Sequence, residues 1–445
     1  MSKQRIQLSD HFTYSRLLRF VLPCIGTMLF TSIYGIVDGL CVSNFVGKTA
    51  FAAVNLIMPL PMLLGTIGFM LGTGGSAIVG ITLGEGDPKK ADRYFTMFLL
   101  AALISVSVLA VLGILLLRPV AELLGAKGEL LDYAVRYGRI LMLALPPFAL
   151  QNMFQSFFVT AEKPLLGFWF TVGAGCTNMV LDVVMVGMLH WGVEGAAVAT
   201  LISQLVGGVL PVFYFIDHGN TSRLHLCRTQ FYGRVLWDAC INGSSELMTN
   251  LSMSLVNILY NFQLLRLAGE NGVAAYGVVA NLALVGIAVF TGLCTGIQPL
   301  VSRSSGLGDR EQLRRLFRWG ICTALGIAAV LCVSIFLGAE PLTAVFNSEH
   351  DPQLAAYAES GLRIYFTGFL FAGVNMVTAA FFSASDKTVQ GFVLSLLRGV
   401  IAVPPILFPL AWVLGVDGVW LTFPMVELVT AVAALVWARK YIIKN

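Results

Sequence analysis

Runs of about twenty or more mainly apolar residues recur twelve times along this 445-residue chain, separated by short polar stretches. Each is long enough to cross the roughly 30 Å hydrocarbon core of a bilayer as a helix. The runs are 16–43, 51–82, 94–117, 131–158, 165–189, 193–216, 234–266, 272–303, 314–338, 353–383, 389–412 and 417–438. With 57% hydrophobic and 12% charged residues, the chain has more apolar side chain than a soluble fold of this length can hide. The fold class expected is an all-α integral membrane protein of twelve transmembrane helices. Prolines inside the runs (Pro23, Pro59, Pro61, Pro146, Pro147, Pro404, Pro405) are tolerated in membrane helices where neighbours re-satisfy the backbone.

Basic residues orient the spans, because cytoplasmic loops are enriched in Lys and Arg. With the N-terminus inside, the inner segments hold 20 of the 28 basic residues, whereas the loop 339–352 carries Glu340, Glu349 and Asp351 and no Lys or Arg. Both termini are expected in the cytoplasm and the protein in the cell membrane, multi-pass. The N-terminus lacks the short apolar core and small-residue cleavage site of a secretory leader. The eight cysteines show no CxxC spacing and read as small apolar residues.

The two halves resemble each other at an offset of 222–224 residues. GEGDPKKADR (84–93) matches GLGDREQLRR (306–315), FFVTAEKPLLGF (157–168) matches FFSASDKTVQGF (381–392), and VEG (193–195) matches VDG (416–418). The expected organisation is an N-terminal lobe (1–216), a cytoplasmic linker (217–233) and a C-terminal lobe (234–445). Six helices per half is an even number, so a pseudo-two-fold along the membrane normal should relate the lobes.

Ionisable residues within membrane helices are costly and point to function. Asp38 lies in helix 1 and Asp182 in helix 5; Asn178 and Tyr34 each stand four residues before one of them, on the same helix face. Asn152 is in helix 4 and Thr200 in helix 6. These six form the candidate coupling group. Their oxygen donors suit a small hard cation or a shared proton, with Na⁺ a candidate at Asp38, Asn178, Asp182 and Thr200. Each has a plainer alternative: the asparagines as interhelical hydrogen bonds, Thr200 back-bonding to its own helix, the aspartates touching water at helix ends. The offset carries Asp38 to Tyr260, Asn152 to Met376, Asn178 to Ala402, Asp182 to Ile406 and Thr200 to Phe423, so this chemistry is expected in the first half alone. Glu246 (helix 7) and Glu427 (helix 12) are second-lobe candidates, with Cys24 and Gln204 as counterparts; Glu427 could instead pair with Arg398 in helix 11. Adaptable methionines at Met28, Met58, Met62 and Met253 are candidates for lining a substrate cleft, although core packing accounts for any one of them.

The chain resembles the multidrug and toxic compound extrusion (MATE) transporters over nearly its whole length. The resemblance is carried by Pro23 and Asp38 in helix 1, Gly84, Gly86 and Asp87 after helix 2, Asn178 and Asp182 in helix 5, and Gly308 and Asp309 after helix 8. It implies a secondary antiporter that exports organic, cationic and amphipathic compounds in exchange for Na⁺ or H⁺ by rocker-switch alternating access. It also implies a first-lobe cation site at Asp38, Asn178, Asp182 and Thr200 with Asn152 close by. Expected partners are a small-molecule substrate and membrane lipid, with no nucleic acid, no cofactor beyond the coupling ion, and a functional monomer. A lipid or oligosaccharide flippase of the same superfamily is the alternative transporter. A membrane enzyme would need a catalytic cluster, and the histidines His11, His190, His218, His225 and His350 are scattered and loop-borne.

Overall fold

The computed structural model describes residues 13–45, 53–54, 57–123, 126–217, 219–346, 351–385 and 387–443, with only the backbone of 35–45, 59, 250, 251, 254, 270, 345, 346 and 443. Every regular element among them is helical. In the first half these are α1 (Tyr14–Phe45), α2 (Pro59–Gly84), α3 (Pro88–Leu123), α4 (Glu129–Thr160), α5 (Pro164–Met188) and α6 (Gly192–Ile216). A long helix, Gly233–Gly306, is broken by Gly269 at φ 63°, ψ −148°, giving α7 (233–268) and α8 (270–306). Then come α9 (Arg310–Phe346), α10 (Pro352–Thr367 and Phe369–Ser383, bent by 44°), α11 (Thr388–Leu414) and α12 (Val416–Ile442).

The twelve expected spans are thus twelve helical segments. Among the described residues nine are long and apolar enough to cross a membrane, ten with bent α10 taken as one span. The other two are α4 and α7. Polar side chains interrupt both, Gln151, Asn152 and Gln155 in α4 and Asn242, Ser244, Ser245 and Glu246 in α7. A helix that keeps such groups inside a bilayer must turn them toward protein.

The repeat is written into the turns. After α2, Gly86 takes φ 86° and Asp87 Oδ1 accepts from the Lys90 amide; after α8, Gly308 takes φ 68° and Asp309 Oδ1 accepts from the Gln312 amide. The glycine ends one helix in the left-handed region and the aspartate caps the next. Lys163 (φ −126°, ψ 45°) and Lys387 (φ −116°, ψ 38°) precede α5 and α11 in the same conformation. Gly192, the first residue of α6, and Gly415, the residue before α12, take φ 61° and 62°. Helix pairing repeats too: α4 packs on α3, α5 and α6, and α10 on α9, α11 and α12.

Contacts divide the chain into two compact units, Met1–Gly243 and Ser244–Asn445. In the first, α4 is the central helix, packed also against α2, while α1 packs on α5. The segment joining α6 to α7 runs extended along α3. The His225 amide donates to Asp92 Oδ1 at 2.9 Å, the Cys227 amide to Thr96 Oγ1 at 3.1 Å, and Thr229 Oγ1 to the Arg93 carbonyl at 2.7 Å. Arg223 pairs with Glu162 at 3.2 Å. The start of α7 also belongs to this unit. A Cβ at Gly74 would lie 1.9 Å from the Ala239 carbonyl oxygen, and one at Gly243 equally near that of Met70.

Candidate functional site

The buried residues of α5 before its wide turn are Gly167, Thr171, Ala174, Gly175, Asn178 and Asp182. Their spacing of three and four traces one helix face, and the opposite face is apolar and exposed at Leu165, Trp169 and Val180. Asn178 and Asp182 therefore share the inward stripe, at 2% and 0% exposure. Gly175 allows α1 to approach: a Cβ there would lie 2.5 Å from Phe30 Cε1 and 3.0 Å from Tyr34 Cδ1. The ring of Tyr34 thus packs one turn from Asn178. Asp38 follows Tyr34 on α1, and its side chain lies outside the described residues.

Immediately after Asp182 the helix widens into a π-helical segment, Val183–Met188, a deformation that recurs at functional sites. That segment packs against both α1 and α6. Thr200 of α6 stands about 12 Å from the start of its helix and Asp182 about 9 Å from the end of its own, at 1.5 Å per residue, so the two occupy a similar depth. Thr200 donates its hydroxyl hydrogen to the Ala196 carbonyl at 3.0 Å, the back-bonding alternative, which leaves oxygen lone pairs available.

Asn152 of α4 is 4% exposed. Beside it the structure adds residues that the sequence did not single out. Gln151 lies against α6 where Gly207 makes room, a Cβ there falling 2.6 Å from Gln151 Cδ. Gln204 and Ser203 line the same α4–α6 seam from the other side, all three less than a tenth exposed. The amide nitrogens of Asn152 and Asn178 and the amide oxygens of Gln151 and Gln204 have no hydrogen-bond partner among the described residues. Buried polar groups are normally paired, so this polar interior suits a polar guest. Among the described residues no group of three or more His, Cys, Asp or Glu is placed to hold a metal; the donors here are amide, hydroxyl and carboxylate oxygens, which fit a hard monovalent cation.

The second unit is built differently. Arg398 Nη2 lies 2.8 Å from Glu427 Oε1, and Arg398 Nε donates to the same oxygen at 3.1 Å. Asn375 of α10 donates through Nδ2 to Glu427 Oε2 at 2.6 Å and to its carbonyl at 2.8 Å. Arg398 sits in a π-helical segment, Leu397–Ile401, and the following Gly399 admits α7, since a Cβ there would lie 2.1 Å from Ser252 Cβ. Glu246 of α7, half-buried, interacts electrostatically with Arg398. One turn before Glu427, Phe423 stacks on Tyr365 at 4.1 Å.

Asn375 corrects one expectation. FALQNM (148–153) and FAGVNM (371–376) align at an offset of 223, which pairs Asn152 with Asn375 rather than with Met376. The same offset pairs Gln204 with Glu427. Both units therefore carry a buried Asn on the fourth helix and a polar residue on the sixth, and what is peculiar to the first is its fifth-helix pair, Asn178 and Asp182. Of the methionines, Met58 accepts from the Tyr137 hydroxyl at 3.8 Å and packs in the first unit's core, Met62 is 55% exposed, and Met28 and Met253 are half-buried.

Known proteins share this architecture. The chain is 22% identical to the multidrug export protein MepA of Staphylococcus saprophyticus over 422 residues, 95% of this chain and 92% of that one. It is 22% identical to MepA of Staphylococcus haemolyticus over 433 residues, 97% and 95% of the two. Among solved structures, a MATE transporter in complex with MaL6 superposes with TM-score 0.93 at 23% identity, covering 99% of both chains. The outward-facing conformation of a multidrug resistance MATE transporter of the MOP superfamily gives TM-score 0.93 at 23% identity, over 99% of this chain and 98% of that one. The MatE family model matches twice, at 23–184 and 247–408, so its two copies stand 224 residues apart, the repeat found in the loops. With two six-helix halves and two family matches that together span most of its length, this chain is a membrane transporter rather than an enzyme and belongs to the MatE family.

Proposed function

We propose that the protein is a secondary antiporter that exports organic, cationic and amphipathic compounds in exchange for Na⁺ or H⁺, by rocker-switch alternating access. The observation that carries this reading is the buried stripe of α5, where Asn178 and Asp182 face inward between α1 and α6. A carboxylate at 0% exposure in a membrane helix calls for a compensating charge or proton. With Asp38 on α1 and Thr200 at a similar depth, the group offers oxygen ligands for Na⁺ or a shared proton, and Gln151, Asn152 and Gln204 extend it. The multidrug export proteins that the chain resembles support the substrate class. The termini and the linker are cytoplasmic in this reading, and the protein acts as a monomer with no cofactor beyond the coupling ion.

The decisive experiment uses proteoliposomes loaded with a fluorescent organic cation, under Na⁺ and proton gradients imposed separately. Export driven by one gradient and abolished in Asp182→Asn supports the reading. Export indifferent to both gradients refutes antiport.

A further inference from the structure

Arg363 is exposed on α10, inside a helix of otherwise bilayer-compatible composition. Among the described residues it makes no ion pair, not with Glu359 one turn earlier nor with Glu340 on α9. Its guanidinium lies over the ring of Phe336 on α9, 5.4 Å from the centroid. Beside this pair the surface opens into a cavity of about 270 Å³, walled by Val333, Leu337, Leu362 and Phe366. Close to the bend of α10 after Thr367, the Cys332 thiol donates to the Phe366 carbonyl at 3.0 Å. Val333, Phe336 and Leu337 are 58%, 62% and 77% exposed.

The depth is informative. Phe336 stands four residues before Glu340 on α9, about 6 Å along the axis, and Arg363 eleven residues into α10, about 16 Å. By extending along the helix toward the polar 339–352 side, the guanidinium reaches toward the headgroup boundary, with the apolar cavity beside it. An unpaired cation next to an apolar groove at that boundary is complementary to one kind of molecule, with a phosphate anion at one end and hydrocarbon at the other. We infer that the α9–α10 groove of the second unit binds an anionic phospholipid of the surrounding leaflet, its phosphate on Arg363 and an acyl chain between Val333, Leu337 and Phe366. The first unit supplies a control. Arg139 on α4, one residue out of the 223 register that pairs Asn152 with Asn375, is likewise exposed and stands over no aromatic ring among the described residues.

The test uses the full-length protein in dodecyl maltoside, titrated with dioleoyl phosphatidylglycerol or dioleoyl phosphatidylcholine and followed by thermal midpoint and native mass spectrometry. Phosphatidylglycerol should raise the midpoint and remain bound where phosphatidylcholine does not. Arg363→Gln should weaken its apparent affinity about tenfold, the scale of one charge-assisted contact, and Arg139→Gln should leave it unchanged. Val333→Trp, which fills the groove and keeps the arginine, should weaken it as well, and serves if Arg363→Gln fails to fold. Equal response to both lipids, full retention in Arg363→Gln or Val333→Trp, equal loss in Arg139→Gln, or the same midpoint shift with sodium phosphate would each overturn the site.

Discussion

Arg398 and Glu427 form a buried ion pair in the second unit, 2.8 Å apart, with the glutamate side chain 2% exposed. Taking two charges out of water is repaid only when geometry and further hydrogen bonds are good, and here Asn375 supplies the second acceptor's partner. Removing one member strands the other. Glu427→Gln should therefore destabilise the protein by about 3 kcal/mol or more, and Arg398→Met similarly. The double variant Arg398→Met/Glu427→Leu should recover most of that loss. Thermal unfolding of the three variants in detergent checks this, and additive losses in the double variant would show that the pair is not a unit.

Much of the fold was legible because it rests on local chemistry. The spans follow from apolar run length, and GxGD predicts its turn because only glycine takes the left-handed position and aspartate caps the helix after it. The Asn178–Asp182 face follows from helical periodicity. The rest depends on tertiary context. Nothing in GCTNMVLD announces that the helix widens after Asp182, since a π turn answers to its neighbours. The linker's strap along α3 uses backbone amides, which leave no sequence pattern. Asn375 was within reach, hidden by a one-residue shift of register inside an otherwise consistent repeat.

Gly175 and Gly173 lie two residues apart on α5 but differ in what a side chain would meet. At Gly175 a methyl would collide with Phe30 and Tyr34, whereas nothing lies within 4 Å of Gly173. Gly175→Ala should cost about 1–3 kcal/mol from overpacking and weaken ion-coupled transport by displacing Tyr34. Gly173→Ala should be neutral or stabilising by up to about 1 kcal/mol, because alanine favours helix. Paired thermal melts and transport rates decide, and equal effects at both positions would contradict the packing described.

The proposed topology, drawn from the charge bias of the loops, has the linker and both termini in the cytoplasm. Asn220→Cys and Val345→Cys, in a background with the native cysteines replaced, should then label from opposite sides of the membrane with an impermeant maleimide. Position 345 should react in intact cells and position 220 only after permeabilisation. Labelling of both from one side would overturn the topology.

The coupling reading makes its strongest demand on Asp38 and Asp182. Two carboxylates brought together at low dielectric repel, so the pair favours a cation or proton between them, and its titration belongs to both residues together. Asp182 stands at the last regular turn of α5, and the wider turn after it packs against α1 and α6. Neutralising it should let α1 shift, with Pro23 inside that helix as the natural bend. If the cation lowers affinity for substrate, substrate must lower affinity for the cation by the same factor. Asp182→Asn and Asp38→Asn should abolish gradient-driven export, leave a folded protein, and preserve substrate binding measured at equilibrium. Ile406→Ala and Tyr260→Phe, at the repeat counterparts, should retain export. Sodium should raise the thermal midpoint of the wild-type protein and not of Asp38→Asn if Na⁺ is the coupling ion, whereas a response to pH alone identifies H⁺. Export at the wild-type rate in either aspartate variant would rule this site out.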